Sequence, residues 1–417
     1  MKNLFFSLII LLVIYSQYGL SQEISSSKNF DLAFKVDSLI NFAIESKAFP
    51  GAQVLIFKKD SVRINKSYGY HTYDSIIPVS NNHVYDLASV TKILGSTLAL
   101  MKLYEIYDLN IETPVSKWIP SLRRSNKKEH SLKQLLSHSA GWLPYIAHQN
   151  LVFNKRKKFK RNTLSHNKSN HFPNPVSDSL FVHKNYQKKI FRRIIKSRLT
   201  SQGEMVYSGM FFFFLPELVK ELSGISFPSF LKTHFYSPMK LKQITFLPAE
   251  KFPKKDIVPT EQDSLFRKQL VQGWVHDEAA SLMGGISGNA GLFANASSIA
   301  PLLQMLLQNG IYNGKQYLNI ETINLFTKKT YPESLNPRGL GFDKPSFDVS
   351  DETRYPSQLV SDETFGHTGF TGTMVWVDPV NYCFVILLTN RVYPSRNQRR
   401  LYELNIRPQL LDYVIQD

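Results

Sequence analysis

The chain has 417 residues, 43% of them hydrophobic and 20% charged, with a formal net charge of +17 and a single cysteine. That much apolar sequence can bury a large core, which excludes a disordered or fibrous chain. One cysteine excludes an intrachain disulfide framework, and Cys383 lies in the apolar run Tyr382–Leu388, where a buried structural thiol is expected rather than a nucleophile.

Residues 1–21 are expected to form an export signal. Lys2 supplies the charge, Leu4–Ile14 the apolar core, and Gly19-Leu20-Ser21 a small-residue cleavage site. The apolar core is too short to span a bilayer, and nothing later in the chain is long enough. A mature domain from residue 22 to 417, periplasmic or secreted, is therefore expected. An exported protein meets little nucleic acid, so the basic excess does not point there.

Helical apolar spacing runs from Phe30 to Ser46. Gly51–Phe57 and Val62–Tyr70 then read as two strands joined across Lys58–Ser61. After Val84-Tyr85-Asp86 comes Leu87-Ala88-Ser89-Val90-Thr91-Lys92, followed by the apolar helical run Ile93–Met101. A serine and a lysine three apart at a helix start share one face, about one turn apart. A lysine partly desolvated on such an apolar wall can lose its proton and act as base for the serine hydroxyl. The spacing itself recurs, for example at Ser125/Lys128 and Ser229/Lys232. Only the Ser89 copy joins an extended segment to a long apolar helix.

A helical stretch is expected from Leu109 and a short helix over Leu132–Leu136, ending at Ser137-His138-Ser139-Ala140-Gly141-Trp142. A basic insertion follows, about residues 150–184, with Lys155-Arg156-Lys157-Lys158 at its head. Between Tyr145 and Thr200 there are nine Lys and five Arg against one acid, Asp178. The insertion reads as a mobile loop, with anionic envelope polymers or lipid headgroups as possible partners and a plain solvated loop as the alternative. Asn185–Leu199 turns helical. Tyr207-Ser208-Gly209 precedes the apolar helix Met210–Leu222, closed by Ser223-Gly224.

His276-Asp277 could suggest metal binding, but no third ligand stands at metal spacing, so no metal is expected. Gly284–Gly291 reads as a tight glycine-rich crossing, and helices follow at Ile299–Gln308 and Ile320–Thr327. Phe365–Gly369, Thr371–Val377 and Tyr382–Thr389 are strand-like, and a last helix runs from about Asn397 to Val414. The fold class is α/β (α+β): an antiparallel sheet built from both termini and flanked by helices, plus a helical lobe, with a site in the cleft between them.

Three distant segments belong together: Ser89-x-x-Lys92, Tyr207-Ser208-Gly209 and His367-Thr368-Gly369. With Leu135–Gly141 and His367–Thr373, their order resembles the serine β-lactamase and penicillin-binding protein superfamily, above all class C β-lactamases, D,D-peptidases and related esterases. The likeness extends from about Phe34 to the C-terminus. It implies a β-lactamase/transpeptidase-like fold, no cofactor, and a small-molecule or peptidoglycan-derived substrate.

In that resemblance Ser89 is the nucleophile, and Lys92 and Tyr207 are candidates to take its proton. The N–H groups of Ser89 and Phe370 form the oxyanion hole. His367, with Thr368 and Gly369, stands where many relatives carry lysine, and would orient the tyrosine or a substrate carboxylate. Tyr317-Leu318-Asn319 matches the family's Tyr-x-Asn pattern more literally, but it lies in a turn before a helix. His138 is expected to fix its loop by hydrogen bonding. Gly209 departs from the family, which usually has asparagine there to hold the lysine and the substrate amide. Oligomeric state is not legible. The leading functional reading is an exported serine hydrolase acting through a Ser89 acyl-enzyme on an ester, amide or peptide bond of a cell-envelope or small-molecule substrate. The second is a catalytically inactive relative that binds envelope polymer through the basic insertion.

Overall fold

The computed structural model describes residues 31–107, 109–348 and 353–417; the expected export signal lies outside them. Its centre is a five-stranded antiparallel sheet of β1 (Gly51–Lys58), β2 (Ser61–Gly69), β3 (Phe365–Thr368), β4 (Met374–Asp378) and β5 (Cys383–Thr389). The spatial order is β3–β4–β5–β1–β2. The two ends of the chain thus meet at β1 and β5, with Val54 opposite Leu387 and Ile56 opposite Val385.

These two strands are central because their side chains are apolar on both faces, so neither face tolerates water. Four helices matter most around the sheet: α1 (residues 31–45), α2 (Leu98–Tyr107), α3 (Ala296–Leu307) and α4 (Ile406–Gln416). Ala52, Val54 and Ile56 of β1, with Val385 and Leu387 of β5, pack against Val36, Ile40 and Ala43 of α1 and Leu410 and Val414 of α4. The alternate residues Leu55, Phe57, Phe384, Ile386 and Leu388 face the larger core, which α3 and the helical lobe share. Each such side chain stabilises the fold by about 1.5–3 kcal/mol when fully buried. The buried Lys58 amine, at the end of β1, donates to the Val414 carbonyl at 2.6 Å and so caps the last turn of α4.

In the helical lobe, Lys92–Thr97 form a wide π-type turn that runs into α2, and every residue of that turn is buried. Elsewhere three expectations change. The stretch from Leu109 is not one helix but two short 3₁₀ turns, Val115–Lys117 and Pro120–Leu122, because Pro114 and Pro120 cannot continue a helix. The last helix is two, Arg400–Glu403 and α4, separated at Asn405, whose φ is +49°.

The basic insertion is an ordered fold rather than a loop. Its strands Leu164–Ser165, Asn174–Ser177 and Leu180–Val182 form a small sheet. Val152, Leu164, Val176, Leu180, Val182 and Tyr186 are buried in the same core as Phe213 and Phe214.

Candidate active site

Strand Tyr85–Asp86 pairs with Leu292–Ala294 and delivers the chain to a 3₁₀ turn, Ala88–Val90, that carries Ser89. The turn is pinned from several directions. The buried Asp86 carboxylate accepts the N–H groups of Ala88 (2.8 Å) and His276 (2.6 Å). The Thr371 hydroxyl donates to the Asp86 carbonyl at 2.8 Å and the Thr373 hydroxyl to the Leu87 carbonyl at 3.0 Å. Ala88 has φ +46°, a conformation that non-glycine residues adopt only when their surroundings impose it. Gly369 must be glycine for the same close packing, since a Cβ there would lie 2.6 Å from the Leu87 carbonyl.

The wide turn places the Lys92 amine 2.9 Å from Ser89 Oγ, and the amine also donates to the Asn289 carbonyl at 3.1 Å. Lys92 is 2% exposed, with its nitrogen 5.3 Å from the Tyr207 ring centre and 5.6 Å from that of Phe212. A buried amine is tolerable only with such hydrogen-bond partners. Tyr207 comes in from the far side of the lobe, its phenol 3.2 Å from Ser89 Oγ.

The Tyr207 segment is held by the Ser137–Gly141 stretch. The Val206 N–H donates to the His138 carbonyl at 2.9 Å, and the Ser208 N–H to His138 Nδ1 at 3.2 Å. His138 also packs its ring 4.7 Å from that of Tyr207. Burial, reinforced by Arg338 and Lys92, pushes the His138 imidazole well below its usual value, so it stays neutral and accepts. It is a loop-fixing group, as its sequence context suggests.

His367 lies on β3, its ring 6.0 Å from that of Tyr207. Its Nδ1 stands 2.7 Å from the Thr368 carbonyl, which can only accept, so Nδ1 carries the proton and Nε2 is a bare acceptor without a partner. Burial pushes this imidazole down to about 4, against the pull of Asp343 at 3.6 Å. An orienting role would therefore be exercised by accepting a hydrogen bond at Nε2. The neutral ring in this tautomer has no free N–H to give a substrate carboxylate.

Positive charge comes from other residues. Arg338 pairs with Asp343 and holds its guanidinium 5.7 Å from the Tyr207 ring centre. Arg407, on α4, donates to the carbonyls of Thr373 (2.9 Å) and Gly369 (3.3 Å). A cavity of about 560 Å³ opens here, lined among others by Ser89, Tyr207, His367, Thr368, Phe370 and Arg407. All the candidate residues from Ser89 to Phe370 thus converge on one cleft. Tyr317 does not, since its carbonyl accepts from Lys102 at the end of the lobe.

A family model described as beta-lactamase matches residues 36–407, spanning most of the chain. The chain belongs to the beta-lactamase family. A relative assigned as a D-alanyl-D-alanine carboxypeptidase, from Salmonella heidelberg (strain SL476), is 28% identical over 399 residues, covering 86% of this chain and 82% of its own.

Among solved structures, EstCE1, a hydrolase with promiscuous acyltransferase activity, shares the fold with a TM-score of 0.65 at 19% identity, covering 93% of this chain and 99% of its own. The D-amino acid amidase of Ochrobactrum anthropi SV3 has a TM-score of 0.63 at 12% identity, with coverages of 92% and 98%. The protein is a serine hydrolase of the beta-lactamase family.

Sequence reasoning missed the Asn289 carbonyl, Arg338, Asp343 and Arg407. A backbone carbonyl leaves no side-chain signature, and the arginines stand alone in segments without motifs. It also passed over what His276 does. Its ring stacks on Phe370 at 5.6 Å, its Nε2 lies 2.8 Å from Glu261, and Arg396 clamps both Glu261 (2.6 Å) and Glu278 (2.8 Å).

Proposed function

We propose that this family member is an exported hydrolase that opens an ester, amide or peptide bond of a cell-envelope or small-molecule substrate through a Ser89 acyl-enzyme. The observation that carries the reading is the placement of Ser89 Oγ between the Lys92 amine at 2.9 Å and the Tyr207 phenol at 3.2 Å, at the mouth of the cavity.

In the acylation step Ser89 Oγ bonds to the substrate carbonyl carbon while its proton passes to Lys92 or Tyr207. Charge on the carbonyl oxygen is held by the N–H groups of Ser89 and Phe370. The Ser89 N–H lies at the start of its turn, where no intrahelical acceptor exists. Negative charge developing on the Tyr207 oxygen meets Lys92 and Arg338 beside its ring. The leaving group departs with the proton that Tyr207 or Lys92 took. Water then attacks the acyl carbon, giving its proton to the same group and returning Ser89 to its hydroxyl form.

The Salmonella relative's assignment supports a peptidoglycan-derived substrate ending in a carboxylate, and Arg407 at the cavity wall suits such a group. Export rests on the sequence of residues 1–21.

The test is hydrolysis of short activated acyl esters and D-alanyl-D-alanine peptides by the wild type and two variants. Ser89→Ala should abolish turnover with an unchanged fold. Lys92→Ala should lose about 10²–10⁴ in rate, the scale of a positioned base. Full activity in Ser89→Ala would remove the serine from the mechanism. An unaffected Lys92→Ala would leave Tyr207 alone as base.

A further inference from the structure

The ordered basic insertion builds a second cavity that takes no part in the Ser89 chemistry. It encloses about 520 Å³ and is lined by Phe153, Phe159, His166, Lys157, Lys158 and Lys268, with Ser179 and Gln269 at its side. The chain from Phe153 to Phe159 folds back on itself. The two phenylalanines form a bridge pair with ring centres 5.4 Å apart, and His166 adds a third ring 5.5 Å from Phe159. Asn154 closes the turn through the N–H groups of Arg156 (2.9 Å) and Lys158 (3.1 Å), which fixes the three consecutive basic residues Arg156–Lys158 at the rim.

This cavity offers donors and little else. Among the described residues Lys157, Lys158 and Lys268 have no acidic partner. The one acid of the insertion, Asp178, is taken by Lys254 and by the Trp274 indole N–H at 2.9 Å. Gln269 spends its carbonyl on the Ser179 hydroxyl at 3.2 Å, while its buried amide nitrogen has no partner. A ligand complementary to these walls is rich in acceptors, negatively charged, and flat and apolar on one face.

We propose that this cavity binds an acidic saccharide, a pyranose carrying a carboxylate, with its C–H face laid on Phe153 and Phe159. An aromatic face carries negative charge density and attracts such weakly positive C–H edges. The carboxylate lies among the lysines, where charge-assisted hydrogen bonds are shortest and strongest, and the ring hydroxyls meet Gln269 and Ser179. A flat anionic membrane suits the site less, because the rings are partly buried inside a concavity rather than projecting from it. Binding here does not depend on what Ser89 does, so the proposal stands or falls separately from the hydrolase reading.

The experiment is calorimetric titration of the full-length protein with tetragalacturonate, neutral chitotetraose and a short polyglutamate, alongside sedimentation with phosphatidylglycerol vesicles. Tetragalacturonate should bind at least tenfold more tightly than either of the other soluble probes, and should weaken steeply as salt shortens the Debye length from about 10 Å at 0.1 M. The Lys157→Gln/Lys158→Gln/Lys268→Gln variant should lose at least tenfold in that affinity while its ester hydrolysis stays unchanged. Gln269→Leu, which keeps every charge, should lose about threefold. Polyglutamate binding equal to the uronate would overturn saccharide recognition, as would vesicle binding without uronate binding. An unchanged uronate affinity in the triple variant would remove the site from this cavity.

Discussion

Gly209 stands where the family usually has asparagine, and the expected substrate preference follows from that difference. The family asparagine at this place holds both the lysine and the substrate amide. Here the first task passes to the Asn289 carbonyl, 3.1 Å from Lys92 Nζ. For the second, the two nearest side-chain candidates are already engaged. The Asn289 side chain is committed to the Ser287 hydroxyl at 2.6 Å and to Asp277, and His276 is committed to Glu261. An unmade hydrogen bond in a desolvated site costs about 1–3 kcal/mol. Wild-type protein should therefore turn over short acyl esters and hydrolyse a chromogenic cephalosporin weakly or not at all. A Cβ at position 209 meets only Asn289 Cβ, at 3.8 Å, so the backbone has room for a side chain to start there, and Gly209→Asn should raise cephalosporin acylation relative to ester turnover by about tenfold. Cephalosporin hydrolysis by the wild type at its ester rate would contradict this account of the site.

His367 sets a second expectation at the same scale. Its imidazole titrates near 6.5 in an unfolded chain but is pushed down to about 4 by burial in the folded one. Between those values the unfolded chain binds a proton that the folded chain does not, so stability falls as pH drops from 6.5 toward 4. The His367 share is about 2 kcal/mol between pH 7 and pH 5. Urea midpoints of wild type and His367→Asn at the two pH values measure it: the variant should lose that much less. Equal losses would mean that His367 is not held neutral.

The turn joining β3 to β4 is the part on which the proposed oxyanion site depends. Thr371 and Thr373 fasten it to the Ser89 turn, and His276 supports the outer face of Phe370. Glu261 holds His276 in place. Burial alone would raise the Glu261 carboxyl, but His276 and Arg396 outweigh it and hold it well below the carboxylate range. His276→Ala should lower kcat on an activated ester by about tenfold with little change in KM, since a displaced donor is felt mainly in the transition state. Loss confined to KM would instead make His276 part of substrate binding.

β1 and β5 are legible in the sequence because apolar side chains occupy both of their faces, and the Ser89–Lys92 pair because a helix makes its spacing meaningful. The insertion is not. Its strands are two to four residues long, and Leu164, Val176, Leu180 and Val182 are scattered among serines, asparagines and histidines that mask any period. The supports of the site are equally hidden, since His276, Glu261 and Arg396 meet only after the chain has folded.

For the whole molecule, closing the sheet with strands from both ends of the chain brings residue 89, residue 207 and residues 367–370 to one cleft. Lys58 ties the C-terminal helix to the first strand, so the two ends form a single support. On this reading the shared support serves to activate one hydroxyl, that of Ser89. Labelling with a fluorophosphonate, followed by digestion and mass spectrometry, tests it most directly. The predicted result is a single adduct on Ser89, slowed about 10²–10⁴-fold in Lys92→Ala and absent in Ser89→Ala. An unlabelled wild type, or an adduct on any other residue, would contradict it.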